Sequence, residues 1–68
     1  MRDVPIRDQM IRLGQFLKLA DKVEAGSDVK AILAGGAVTV NGEIESRRGR
    51  QLGKGDVIAI GGEQLRVS

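Results

Sequence analysis

The spacing of hydrophobic residues changes from a helical to an extended period near residue 36 and divides the chain into two parts. From Leu13 to Val23, apolar residues recur at intervals of three and four positions, which is the pattern of an amphipathic helix. A shorter stripe of the same kind runs from Val29 to Leu33 and stops at Gly35-Gly36. The pattern therefore predicts two helices joined by a tight link, followed by a part with strand character.

Small residues mark the expected ends of these helices. Gly14 stands where the first helix would have its N-cap, and Gly26 suits its C-cap. Ser27 offers a side-chain cap to the second helix, and Asp28 favours a helix N-terminus.

Alternating residues after Ala37 predict a hairpin. Val38-Thr39-Val40 is followed by Asn41-Gly42, the strongest short-range hairpin signal, because a type I′ turn needs positive φ at both central residues. We expect Glu43-Ile44-Glu45 to return as the partner strand.

The remaining strands are predicted at the two ends of the chain. Residues 57–60 form a continuous apolar run, Gly61-Gly62 supplies a turn, and residues 63–67 alternate with Leu65 and Val67 on one face. Residues 1–10 are predicted to be an N-terminal strand or arm with a turn at 8–10, and residues 46–55 an ordered loop. The fold class is α+β, with two helices on a small, mainly antiparallel sheet.

Composition removes several classes of function. A chain of 68 residues makes one domain, and it contains no cysteine and no histidine. A disulfide framework, the usual zinc ligands and a Ser-His triad are therefore excluded. No pair of carboxylates stands out for acid–base chemistry, so we expect no enzyme, metal or cofactor. Neither a signal peptide nor a membrane-spanning run is visible, which favours a cytoplasmic protein.

The charge is weak overall but locally concentrated. The net charge is +2, whereas the segment SRRGRQLGKG at 46–55 holds four cations and no acid. These four, together with three cations in the helical half, are the candidate phosphate-binding residues: Arg12, Lys18, Lys30, Arg47, Arg48, Arg50 and Lys54. The alternative is that they form solvated surface. Phe16 is the only aromatic residue and is expected in the core, so base stacking is not the expected mode of binding.

Three blocks, in order, carry a resemblance to a known family. They are LGQFLKLA at 13–20, GAVTVNG at 36–42 and KGDVI at 54–58. The chain resembles the S-four RNA-binding domain, named after ribosomal small-subunit protein four, over residues 11–67. The first block and RRGR look most like its stand-alone bacterial branch, the YbcJ-like and YaaA-like proteins.

The resemblance implies an αL motif of two angled helices beside a small sheet, and binding of structured ribosomal or transfer RNA through basic groups. A ribosomal subunit is a further implied partner, and we expect a monomer. Many members have Ser-Arg where this chain has Ala25-Gly26, and Asp where it has Gly14. Because of these departures, we expect the main RNA contact at the cations of the loop 46–55.

Two non-enzymatic functions follow from the sequence. The first is recognition of structured RNA through phosphate contacts and shape. The alternative is a protein-interaction adaptor in ribosome or RNA–protein assembly, motivated by Leu65 and Val67 on what would be an exposed edge strand.

Overall fold

A computed structural model describes residues 1–23 and 26–68 of the chain. Two helices lie between the second and third strands in chain order. The helices are α1 (Leu13–Leu19) and α2 (Gly26–Ala34). The strands are β1 (Arg2–Val4), β2 (Met10–Arg12), β3 (Val38–Val40), β4 (Glu43–Ile44), β5 (Gln51–Gly53), β6 (Val57–Ile60) and β7 (Glu63–Val67).

The strands form two sheets of unequal size. The larger sheet has the order β1-β7-β6-β3-β4, and all its neighbours are antiparallel except β1 and β7. The smaller sheet is the antiparallel pair β2-β5. The predicted α+β class with a mainly antiparallel sheet is confirmed.

A single apolar cluster joins the helices to both sheets. Leu13, Phe16 and Leu17 of α1 are fully buried, together with Leu52 of β5 and Ile58 of β6. The expectation that Phe16 belongs to the core is confirmed. Burial of one face of α1 leaves the opposite face, with Gln15 and Lys18, exposed.

The first helix is shorter than its apolar pattern predicts. Asp21 takes a left-handed conformation with φ of 59°, and its N–H donates to Lys18 O while the N–H of Lys22 donates to Leu17 O. These two bonds form a Schellman motif, which ends a helix. Val23 is buried beyond the helix end, so its apolar character reports burial and not helical structure.

The predicted caps differ from those observed. Arg12, not Gly14, is the N-cap of α1, and it makes no side-chain capping bond. Gly26 begins α2 instead of ending α1. The proposed cap by the Ser27 side chain, and the departure at Ala25, lie outside the described residues.

Two short strands were missed. Met10 belongs to β2 and not to a turn, and β5 lies inside the predicted loop 46–55. Each strand offers one apolar side chain to the protein interior, Ile11 and Leu52, and these two residues face each other in the ladder. One inward residue per strand gives no periodic signal, and their pairing spans about forty residues of sequence.

The last strand is not an exposed edge. β7 lies between β1 and β6, and Leu65 and Val67 are 0% and 1% exposed. The interpretation of residues 63–67 as a free docking strand is therefore wrong. The N-terminal strand β1 covers that edge by parallel pairing with β7.

Asn41 links the hairpin to the turn that precedes β6. Asn41 and Gly42 have φ of 51° and 88°, as a type I′ turn requires. The Asn41 amide nitrogen donates to Asp56 Oδ1 at 3.1 Å, and the N–H of Val57 donates to Asn41 Oδ1 at 2.9 Å. Asp56 Oδ2 accepts from the N–H of Gly53 at 2.8 Å. The hydrogen bond from Gly53, with smaller help from Asn41 and Arg50, lowers the pKa of Asp56 although burial opposes it.

We expect Asn41→Gly to lower the free energy of unfolding by about 1–2 kcal/mol, because glycine keeps the positive φ but loses both side-chain bonds. Denaturant titration measures the loss. Combining the change with Asp56→Ala should cost less than the sum of the single losses, since the two share a bond. Strictly additive losses would show that the two residues stabilise the fold independently.

Candidate nucleic-acid interface

The loop that carries three of the candidate arginines is docked on the start of α1. The N–H of Leu13 donates to Arg50 O at 2.8 Å, and the N–H of Gly14 donates to Arg48 O at 2.9 Å. The first N–H groups of a helix have no partner within the helix, and here backbone carbonyls of the loop satisfy two of them. Residues 46–50, which we call the basic loop, therefore lie directly against α1.

Gly14 makes this close approach feasible. A Cβ at Gly14 would lie 3.4 Å from Arg48 Cβ, Arg48 O and Val29 Cγ1, which is already van der Waals contact. A side chain larger than a methyl group would push the basic loop or α2 away. Gly14 therefore acts through packing between α1, α2 and the basic loop.

A shallow pocket of about 230 Å³ opens where α1, α2 and the basic loop meet. Of the residues that the structure describes, its walls include three of the predicted cations, Arg12, Lys18 and Arg48, and no acidic residue. The remaining lining residues are Gly14, Gln15, Val29 and Gly49. Among the described residues, none of these three cations forms an ion pair. The pocket is thus a concentration of unpaired positive charge.

The other two arginines of the basic loop are held by Glu45. Glu45 Oε2 accepts from Arg47 Nε, and Glu45 Oε1 accepts from Arg50 Nη1, both at 3.1 Å. Hydrogen bonds from the side chain and backbone of Arg47, with Arg50 adding to them, lower the pKa of Glu45 from 4.5 to about 2 against the effect of burial. The same pairing raises the pKa of Arg47. Arg47 keeps 75% of its side chain exposed, and Arg50 keeps 33%.

The last two candidate residues lie outside the pocket. Lys30 is exposed on α2, next to Val29 in the pocket wall. Lys54 is exposed in the turn between β5 and β6, roughly 10 Å along β5 from the basic loop. The structure thus brings Arg12, Lys18 and Arg48 together and leaves Lys30 and Lys54 at its periphery.

Gln15 and Glu45 are site residues that sequence reasoning missed. Gln15 lies three positions from both Arg12 and Lys18, so the spacing that places residues on one helix face was available. Glu45 precedes the acid-free segment by one residue, and the sequence holds no signal that its side chain folds back onto that segment.

Several cations elsewhere on the described surface are paired with acids, whereas Arg7, Lys30 and Lys54 form no ion pair among the described residues. Arg2 and Lys22 flank Glu63, and Arg66 pairs with Asp3 at 2.7 Å. These pairs lie around β1 and β7, in a region that shares no lining residue with the pocket. Among the described residues, three of the cations without an ion pair, Arg12, Lys18 and Arg48, therefore lie together beside α1.

Residues 1–23 and 26–68 hold neither a cluster of metal ligands nor a membrane-spanning helix. No group of three or more potential metal-ligating side chains occurs among them. None of their helices has the length and hydrophobicity that a membrane span requires.

Comparisons with known proteins agree on one family. A family model described as the S4 domain matches residues 4–68. The probable ribosome maturation protein RlbA of Bacillus subtilis (strain 168) is 49% identical over 59 residues, which cover 87% of this chain and 83% of that protein.

A solved structure shows the same fold. The crystal structure of the 30S ribosomal protein S4e from Thermoplasma acidophilum matches with a TM-score of 0.65 and 34% sequence identity, over 88% of this chain. The match covers 32% of the S4e chain, so this chain spans about a third of that ribosomal protein.

We expect the Glu45 cluster to stabilise the protein in a pH-dependent way. The pKa of Glu45 is about 2 in the folded state against 4.5 ordinarily. The unfolded chain therefore binds the proton first, and the stabilisation is complete above pH 4.5 and lost as the pH falls toward 2. The gap in thermal midpoint between the wild type and Glu45→Gln should be widest near neutral pH and should close toward acid.

Glu43→Gln is the matched control for this titration. Glu43 is exposed on β4 in the same hairpin, and the substitution removes the same charge without touching the cluster. A gap for Glu45→Gln that stays constant with pH, or one that Glu43→Gln reproduces, would contradict the prediction.

Proposed function

The chain belongs to the S4 domain family, and on that premise we propose that it binds structured RNA of the ribosome, as a monomer in the cytoplasm and without catalysing a reaction. The observation that carries the proposal is the pocket beside α1, whose described lining holds Arg12, Lys18 and Arg48 and no acid. Unpaired cations that converge on a concave surface are suited to phosphate groups.

The names of two similar proteins support a ribosomal partner. One relative is a probable ribosome maturation protein, and the structural neighbour is a protein of the 30S subunit. We infer a ribosomal RNA as the partner of this chain, with transfer RNA as the alternative within the same mode of binding.

The cations contribute unequally in this proposal. Arg12, Lys18 and Arg48 contact phosphates at the centre of the interface. The exposed edge of Arg47 and the peripheral Lys30 and Lys54 extend the contact, and Arg50 contributes chiefly through its pairing with Glu45. Binding through phosphates and shape agrees with the burial of Phe16, which removes the chain's only aromatic residue from the surface.

The adaptor function loses the observation that motivated it. Its motivation was an exposed strand carrying Leu65 and Val67, and both side chains are buried in a strand with neighbours on both sides.

We expect the triple variant Arg12→Gln/Lys18→Gln/Arg48→Gln to weaken RNA binding about a hundredfold, or about 3 kcal/mol, since each cation supplies about one net contact of 1 kcal/mol. Filter binding to ribosomal RNA stripped of protein measures the change, with transfer RNA as the second probe. The matched control is Arg2→Gln/Lys22→Gln/Arg66→Gln, which removes three positive charges from the ion pairs around β1 and β7. Equal losses in both variants would refute a localised site.

The salt dependence of the binding constant gives the number of phosphates that the protein contacts. Three contacts predict a slope of log K against log salt of about −2 to −3 for the pocket alone. The pocket variant should therefore show a slope about 2 to 3 shallower than the wild type. A pocket variant with the slope of the wild type would mean that these cations do not meet phosphates.

A further inference from the structure

An acidic residue is buried against the basic loop. Glu45 is the one charged side chain buried among the described residues, with 8% exposure. Its carboxylate accepts five hydrogen bonds at 3.1–3.2 Å, from the N–H groups of Ser46 and Arg47, from Arg47 Nε and Nη2, and from Arg50 Nη1. A carboxylate has about four lone-pair sites, so the group is saturated by the basic loop.

Glu45 also fixes the basic loop to the larger sheet. The N–H of Glu45 donates to Val38 O of β3 at 3.0 Å. At the opposite side of the loop, the carbonyls of Arg48 and Arg50 bind the start of α1. The loop is therefore held between sheet and helix, and of its arginines Arg48 lines the pocket while Arg47 and Arg50 hold the carboxylate.

We propose that Glu45 is a positioning residue, which holds the basic loop in the conformation that presents Arg48, so that binding a polyanion requires this acidic side chain. The inference rests on the proposed RNA-binding function. In it, the loop conformation that RNA binding requires depends on Glu45, a residue that need not touch RNA.

A positioning role and a purely electrostatic role of Glu45 predict opposite changes in RNA affinity when its charge is removed. If charge alone mattered, removing a negative group beside the interface would strengthen RNA binding. If positioning dominates, the freed loop must be ordered when RNA binds, and this cost lowers the affinity. The charge of Glu45 is already paired with Arg47 and Arg50, whereas its carboxylate holds the loop directly through five hydrogen bonds.

Three variants separate these effects. Glu45→Gln keeps the size of the side chain and removes its charge; Glu45→Asp keeps the charge and shortens its reach. Glu43→Gln removes an exposed charge from β4 of the same hairpin. We expect both Glu45 variants to bind protein-free ribosomal RNA about tenfold more weakly than wild type, and Glu43→Gln to stay within about twofold. All are compared by filter binding well below their thermal midpoints, so that loss of folded protein does not enter.

Hydrogen exchange measures how firmly the basic loop is docked on α1 in the absence of RNA. The N–H groups of Leu13 and Gly14 donate to loop carbonyls, so their exchange should accelerate in both Glu45 variants while that of the β6 amides is unchanged. If Glu45→Gln does not fold, Glu45→Asp carries both measurements.

Several outcomes would overturn the inference. Glu45→Gln binding as tightly as wild type, or more tightly, would show that charge outweighs position. Weaker binding without faster exchange at Leu13 and Gly14 would show that Glu45 does not act through loop docking. The Arg12/Lys18/Arg48 variant keeps the two proposals distinct. If it binds like wild type, the proposed function fails; if it loses binding while the Glu45 variants do not, only the positioning role fails.

Discussion

The docking of the basic loop on the start of α1 is the contact on which the rest of the interface depends. α1 has no side-chain N-cap bond, and two of its first N–H groups are satisfied by the carbonyls of Arg48 and Arg50. The contact also continues the β2–β5 ladder, because Arg12 and Gln51 are paired one residue before the helix and one residue after the loop. Helix, loop and small sheet are therefore fixed together by backbone groups. The side chains of Arg12 and Arg48 reach one pocket as a consequence.

The placement of acids determines which cations remain available. With a net charge of +2, the chain has little long-range attraction for a polyanion. The ion pairs among its described residues, however, involve Arg2, Lys22, Arg47, Arg50 and Arg66, and the pocket cations are not among them. The ion pairs thus neutralise cations around β1 and β7 and two arginines of the basic loop, and leave the three cations of the pocket unpaired. The ion pairs of Arg2, Lys22 and Arg66 join partly exposed side chains and add little stability, so their main effect here is on the distribution of charge.

The sequence predicts those elements whose signals lie within a few neighbouring residues. The stripe of α1, the Asn41-Gly42 turn and the apolar run of β6 each lie within a few residues, and each is observed. The strands β2 and β5 were missed because their pairing depends on residues about forty positions apart. The exposed edge assigned to β7 was wrong for the same reason, since β1 reaches it from the other end of the chain. The sequence predicts the cations of the candidate site but not the ion pairs of Arg47 and Arg50 with Glu45, because Glu45 lies outside the acid-free segment 46–55.

Two acidic residues join segments of the chain that are separate in the sequence. Asp56 joins the turn before β6 to Asn41 of the hairpin, and Glu45 joins the end of that hairpin to the basic loop. Both carboxylates have lowered pKa values because hydrogen bonds favour the charged form. In a small basic protein these acids subtract from the attraction to phosphate, yet they bond the backbone of the turn and loop that carry Lys54 and Arg48. In the proposed interface the positive side chains meet the phosphates, and these two carboxylates hold the backbone that carries them.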